Sequence, residues 1–472
     1  MSGQRRRQRP SRAARVLRGF PPRIPAWRRE QLRTNLWVVP GAMVVAAIPL
    51  FLLTHTLDQA VFDGRFALPG WLNSAGSADA GRQLLIAIAA AVITVAGVVF
   101  SVVIVALTLA SQQFGPRMLR TFLRDRGTQV SLGMFVATFV YSMLALASIS
   151  SGTGRDFVPH VSITVALALL LADSVVLVYF IHHVAVSIQM NEVIASIGSD
   201  LTRGIDGEIA REHRAALPDY LLEQGRFHPE MLDSAEVLAT RTGYLGAISR
   251  TALLRLATDV DAVILLLHRP GHFVVAGRPL ARVAPATAAA TVARALDRAH
   301  ITGRHRTLTQ DMVFAVDQLV EIAIRALSPA VNDTFTAIAC IDWLTAGLCH
   351  LSPHTFPERV FRDGNGVVRL VEPGLSYRRV VDGAFDKVRQ AGRGMPAVAI
   401  RLLDSIGRIA ESTVSDVQRE VLLEQAEMIV RGSEEAVPEP RDREDVRRRY
   451  DAVCATVERL AASAEPITTE EA

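Results

Sequence analysis

Asp173 stands alone in an apolar run, Leu171-Ala172-Asp173-Ser174-Val175. A carboxyl in such a setting can relay a proton, bind an ion or partner a cation, and an ionisable group deep in a membrane is a functional hypothesis by default. The alternative is a protonated carboxyl hydrogen-bonded to Thr94, Ser101 or Tyr141 on a neighbouring helix. His182 and His183 follow in Tyr179-Phe180-Ile181-His182-His183. Imidazoles titrate near neutrality and ligate metals, but adjacent residues on a helix point about 100° apart. The two cannot share one ion without outside ligands, so the expectation is placement at the membrane–water interface. Thr94, Gly97, Ser101, Thr108 and Ser111 recur at helical offsets along one face. Such a strip either lines a polar path or lets another helix approach closely. In Ser328-Pro329-Ala330-Val331-Asn332-Asp333 the Ser and Asp could mark a nucleophile or a metal site. A Ser-Pro turn followed by an Asx helix cap accounts for the same residues structurally, and that is the reading adopted.

The familiar catalytic patterns are absent: no glycine-rich nucleotide loop, no H-E-x-x-H and no G-x-S-x-G. No catalytic residue and no cofactor is therefore predicted, and the chain is not expected to be an enzyme. A lipid-directed enzyme would need a reactive cluster at the interface, where only His182, His183 and Glu192 come near. Cys340, Cys349 and Cys454 show no C-x-x-C spacing, so no metal site is predicted either.

The elements that must position these residues begin with four long, almost uncharged stretches, about 36–57, 84–110, 128–150 and 161–189. Each can cross a hydrocarbon core of roughly 30 Å at about 1.5 Å per helical residue. Arginine is loaded onto every second connection, which keeps it on one side of the membrane. The tail 1–35 sums to +10 and the second connection, Ser111–Gly127, to +3, whereas the other two connections are near neutral. The positive-inside rule then puts both termini on the cytoplasmic side of the membrane. Arg117, Arg120 and Arg124 fall on one face of a short amphipathic helix, suited to anionic headgroups or to the cytoplasmic domain. The chain carries +4 overall and +11 up to residue 190, which leaves −7 for the remainder. A mildly acidic cytoplasmic region argues against nucleic-acid binding.

The predicted organisation is a basic tail (1–35), a four-helix transmembrane domain (36–190), a helical connection (191–234), a small α/β subdomain (235–284), a mainly helical domain (285–464) and a disordered acidic tail (465–472). Strands are predicted at Gly243–Ile248, Ala262–Arg269, His272–Ala276 and Leu280–Val283. An amphipathic helix is predicted from Thr309 to Leu327, and a hairpin turn at Asp363-Gly364-Asn365-Gly366.

With these residues in view, the chain resembles a bacterial membrane-protein family catalogued as domain of unknown function 2254. The resemblance rests on Thr94-Val-Ala-Gly-Val-Val-Phe-Ser101 with Leu107-Thr-Leu-Ala-Ser-Gln-Gln-Phe-Gly-Pro-Arg117, on Tyr179-Phe-Ile-His-His183, and on Gln310-Asp311 with Ile324-Arg-Ala-Leu-Ser-Pro-Ala-Val-Asn-Asp333. Thr334 departs from the family's Asn-Asp-Pro, which loosens the first turn there without removing the cap. The resemblance implies a four-span inner-membrane protein with a cytoplasmic domain, and brings no substrate. Two functions are expected from the residues: a homo-oligomeric channel or transport-associated protein gated by its cytoplasmic domain, or a membrane-anchored sensor or scaffold for an unidentified cytoplasmic partner or ligand.

Overall fold

The computed structural model describes residues 37–65, 77–114, 125–150, 157–187, 189–215, 233–308, 310–355 and 359–464. These fall into two compact units that divide after Val193. The basic tail, the acidic tail and Arg117, Arg120 and Arg124 lie outside the described residues.

The first unit contains α1 (Val38–Phe62), α2 (Ala78–Phe114), α3 (Arg126–Ala147) and α4 (His160–Ser187). All four are apolar on nearly every face, so a chain in this setting satisfies its backbone only within helices. α3 is the central helix and packs against the other three. It accordingly buries a polar seam, Gln129, Ser131, Thr138 and Ser142, besides Phe135 and Tyr141. Gly133 of α3 is required by a close approach, since a Cβ there would lie 2.6 Å from Met43 Sδ. The core is completed by Leu85, Ile88, Val92, Ala96, Val99 and Val103 of α2 and by Ile163, Ala166 and Phe180 of α4. The outer surface is apolar too, with Leu53, Val98, Val105, Val175 and Val178 all exposed.

α5 (Met190–Ala215) follows α4 in sequence and opens the second unit. Next come β1 (Ala235–Leu238), β2 (Gly243–Ile248), α6 (Arg250–Asp259), β3 (Val263–Leu266), β4 (Phe273–Val274), β5 (Pro279–Ala284), α7 (Ala289–Ala299) and β6 (His300–Gly303). The chain continues through α8 (Val313–Ala326), α9 (Thr334–Leu351), β7 (Arg359–Arg362) and β8 (Val368–Glu372). Four helices end it: α10 (Tyr377–Ala391), α11 (Pro396–Ala410), α12 (Asp416–Ala436) and α13 (Pro440–Ala464).

Five strands form a mixed sheet in the order β1-β5-β3-β8-β7, in which only β3 and β8 run parallel. Three more form an antiparallel sheet, β4-β2-β6. The sheet does not stop at the predicted subdomain edge near residue 284. β8 returns from more than a hundred residues downstream to pair Leu370 with Ile264. Local periodicity carries no trace of that pairing, and the same blindness hid β1 and β6.

Among the described residues five helices are long and apolar enough to cross a membrane, one more than the four stretches read from the sequence. The fifth, α9, buries Ala337, Cys340, Ile341, Leu344 and Leu348 among its neighbours α8 and α11. A core helix covered on several sides carries the same composition as a span.

Candidate functional site

The strip on the second span faces outward. Thr94, Gly97, Ser101 and Thr108 are exposed, while the buried face of α2 is the Leu85-to-Val103 series. At about 100° per residue the two faces lie roughly 150° apart. Within its own unit the strip is therefore neither a packing seam nor the wall of a path. Thr94 and Thr108 return their hydroxyls to the carbonyls of Ala90 (2.7 Å) and Ile104 (2.9 Å). That satisfies each donor within its own helix. A Cβ on Gly97 would meet nothing within 4 Å. Ser111 lies on the same helix.

Asp173 points the other way, into the unit, and is 3% exposed. Neither carboxylate oxygen completes a hydrogen bond. The partners expected from sequence are elsewhere: Thr94 and Ser101 face out, and Tyr141 is engaged with other groups. Thr138 lies alongside the carboxyl instead. Its hydroxyl and that of Ser142, one turn further along α3, are likewise buried without partners. Two hydroxyls and a carboxyl thus share the buried polar inventory of the α3–α4 region.

A second buried carboxyl, Asp58, was missed because the first span runs on to Phe62 and not to residue 57. Asp58 accepts the backbone N–H groups of Val161 (2.7 Å) and Ser162 (3.0 Å) and the Ser162 hydroxyl (2.6 Å). Ser162 Oγ in turn donates to Thr54 Oγ1 (3.1 Å), which shares a 2.9 Å hydrogen bond with the Tyr141 hydroxyl. The spacing Thr54–Asp58, one helical turn, was the available signal.

His182 and His183 diverge, as neighbours on a helix must. His182 is exposed. His183 stacks on Tyr179 and shares a 2.7 Å hydrogen bond with Asp125, the N-cap of α3. Burial opposes the charged form of Asp125, but hydrogen bonds from Thr128 and His183 outweigh it and hold the carboxyl below its usual range.

In the second unit the Gln310-Asp311 motif braces the sheets. The Gln310 amide pairs with the backbone of Ile248, accepting its N–H (3.1 Å) and donating to its carbonyl (3.3 Å). Asp311 takes a two-pronged contact from Arg306, at 2.7 and 3.0 Å. Gly271, with φ of +94°, sits so close to Asp311 that no side chain fits. Beside this brace lies a buried charge cluster that sequence reading did not find. Glu208 of α5, 1% exposed, is held by Arg359 and, at 3.5 Å, by Arg269. Arg250 donates to Glu372 at 2.7 Å, and Arg269 to the Gly374 carbonyl at 3.1 Å. These residues enclose a cavity of about 10 Å³, enough for one water. Charged residues placed inside otherwise apolar strands, Arg359 and Glu372, were the only hint.

Ser328, Pro329, Asn332 and Asp333 build a turn between α8 and α9. Asn332 adopts φ of +51°, its N–H donates to the Ser328 carbonyl (2.8 Å), and Asp333 accepts from the Thr336 N–H at 3.1 Å as the cap of α9. Thr334 does not disturb that cap. Among the described residues no three His, Cys, Asp or Glu side chains gather as a metal site would require. Burial pushes the Cys340 thiol up to about 12, which leaves it unreactive.

The residues that brace both units coincide with a family pattern: the model described as predicted membrane protein (DUF2254) matches residues 33–408. The chain belongs to that family. Uncharacterised proteins of Mycobacterium tuberculosis and Mycobacterium bovis are each 32% identical over 458 residues, covering 93% of this chain and 84% of theirs. No solved structure matches. The DUF2254 region takes in the strip, Asp58, Asp173, the Asp125–His183 pair and the 310–333 brace. It ends within α11, so α12 and α13 lie beyond it.

Proposed function

We propose that the chain is a four-span protein of the bacterial cytoplasmic membrane that assembles with copies of itself, the second spans together bordering a path for small polar or ionic solutes. The observation that carries this reading is the outward strip of Thr94, Gly97, Ser101 and Thr108. Small and hydroxyl residues on a lipid-facing surface gain little from lipid, whereas another helix can approach them closely and hydrogen-bond across them. α9 is read as part of the soluble core because its neighbours cover it. With four spans, the arginine-rich tail and second connection both sit on the cytoplasmic side. In this reading the second unit controls the path through α5, which the Glu208 cluster ties to the sheet and which follows the fourth span directly. No catalytic step is proposed.

Disulfide trapping tests the assembly. Ser101→Cys in native membranes should give a cross-linked dimer under mild oxidation, whereas Val92→Cys, on the buried face, should not. Purified protein in liposomes should then pass ions under an applied voltage. Absence of Ser101→Cys dimers together with ion-tight liposomes would remove the proposal and favour the anchored sensor or scaffold. The groove described below is the feature that would favour that second reading.

A further inference from the structure

The helical end of the second unit holds a groove of about 250 Å³, bounded by α10, α11 and α12. Its floor is apolar, made by Ala399, Leu402, Met428 and Ile429, and its rim carries Arg389, Arg393 and Arg431 against the single acid Glu435. The sign is the reverse of the acidic region around it, which totals −7 from residue 191 onward. A concave, partly apolar wall focuses such a local field and draws in counter-ions.

The three guanidiniums are not equivalent. Arg393 is held in place by Glu435 and by the Gly432 carbonyl. Arg389 is braced by Asp386 at 3.2 Å, yet its Nε is buried with no acceptor. Arg431 stands exposed on the rim with no carboxylate partner among the described residues. Two cations fixed by carboxylates and one free cation above an apolar floor make a complementary surface for a single kind of molecule.

We infer that this groove binds a small soluble organic anion, its phosphate or carboxylate between Arg389, Arg393 and Arg431 and its apolar body against Leu402, Met428 and Ile429. The volume suits a compact ligand, a little below the usual range of drug-sized pockets. Met428, Ile429, Arg431 and Glu435 lie past residue 408, where the match to the DUF2254 model ends. The groove shares no residue with the second-span strip, so the two readings fail separately.

Phenyl phosphate is a suitable probe, since it joins a dianion to a compact apolar body. Isothermal titration of the full-length protein in detergent should give saturable one-site binding. Inorganic phosphate should bind at least about tenfold more weakly, and phenyltrimethylammonium not at all. Arg431→Gln and Arg389→Gln should each weaken phenyl phosphate by about tenfold or more, the size expected for one charged hydrogen-bonding partner. Arg431 is exposed and unpaired, so Arg431→Gln should leave the melting temperature of the free protein unchanged and cannot fail by misfolding. The inference is overturned if phenyl phosphate shows no saturable heat up to millimolar concentration, or if Arg431→Gln binds it as tightly as the parent chain.

Discussion

The Asp58 carboxylate on the first span caps the fourth span at Ser162, accepting that residue's backbone N–H at 3.0 Å and its hydroxyl at 2.6 Å. A helix start leaves its first N–H groups without intrahelical partners. In an apolar setting water does not supply the missing acceptors. Two helices far apart in sequence are thereby locked at one end by a single side chain.

Asp58→Ala should therefore destabilise the first unit by about 3 kcal/mol or more, since charged hydrogen bonds contribute roughly 1.5–3 kcal/mol each. Asp58→Asn keeps one acceptor and should lose less than half as much. Unfolding of the detergent-solubilised variants would check the order. Equal melting points for the parent chain and Asp58→Ala would contradict the cap.

Gly127 makes room for the Asp125–His183 pair. A Cβ at 127 would lie 2.6 Å from His183 Nε2, so Gly127→Ala should push the ring off Asp125 and cost about 1–3 kcal/mol. His183→Ala in the same chain frees that space. The double variant should then be more stable than the sum of the two single losses predicts, and strict additivity would show that the two residues are not coupled.

α5 and α9 meet at Gly198 and Trp343, where an added Cβ would overlap the indole ring. Overpacking against a large rigid ring costs about 1–3 kcal/mol. Gly198→Ala should raise amide exchange in both helices while the first unit keeps its protection. Trp343→Leu should restore most of the loss. Unchanged exchange in α5 would refute the close approach.

His272 gives the second unit an acid sensitivity. Burial first, then the neighbouring charges of Arg379, Arg269 and Arg306 and the nearby His268, push it from 6.5 down to about 4. Its Nδ1 faces the Arg269 backbone N–H at 3.4 Å, as a neutral ring allows. The unfolded chain takes up the proton first, so this contribution is complete above pH 6.5 and is lost as pH falls from 6.5 towards about 4. Denaturant unfolding of the second unit should show stability declining across that window, and His272→Gln should flatten the decline. An equally steep decline in His272→Gln would assign it to other groups.

Sequence periodicity determined the apolar helices, the strand Gly243–Ile248, a strand within Ala262–Arg269, the Asp363–Gly366 hairpin and a helix cap at Asn332 or Asp333. All of these are local: a helix face, an alternation or a turn is encoded within a few residues of itself. Charge placement likewise assigned the basic balance to the tail and the second connection. Tertiary structure alone decided which way each face points and what meets it. The Thr94–Thr108 strip is visible as a strip in the chain, but only the position of the Leu85–Val103 core shows that it turns outward. Asp173 was legible as a buried carboxyl, whereas its neighbour Thr138 was not. Asp58 with Ser162, Glu208 with Arg359 and β3 with β8 are each separated by about a hundred residues or more. Such pairings depend on how whole helices and strands pack, and no single segment's pattern contains that information.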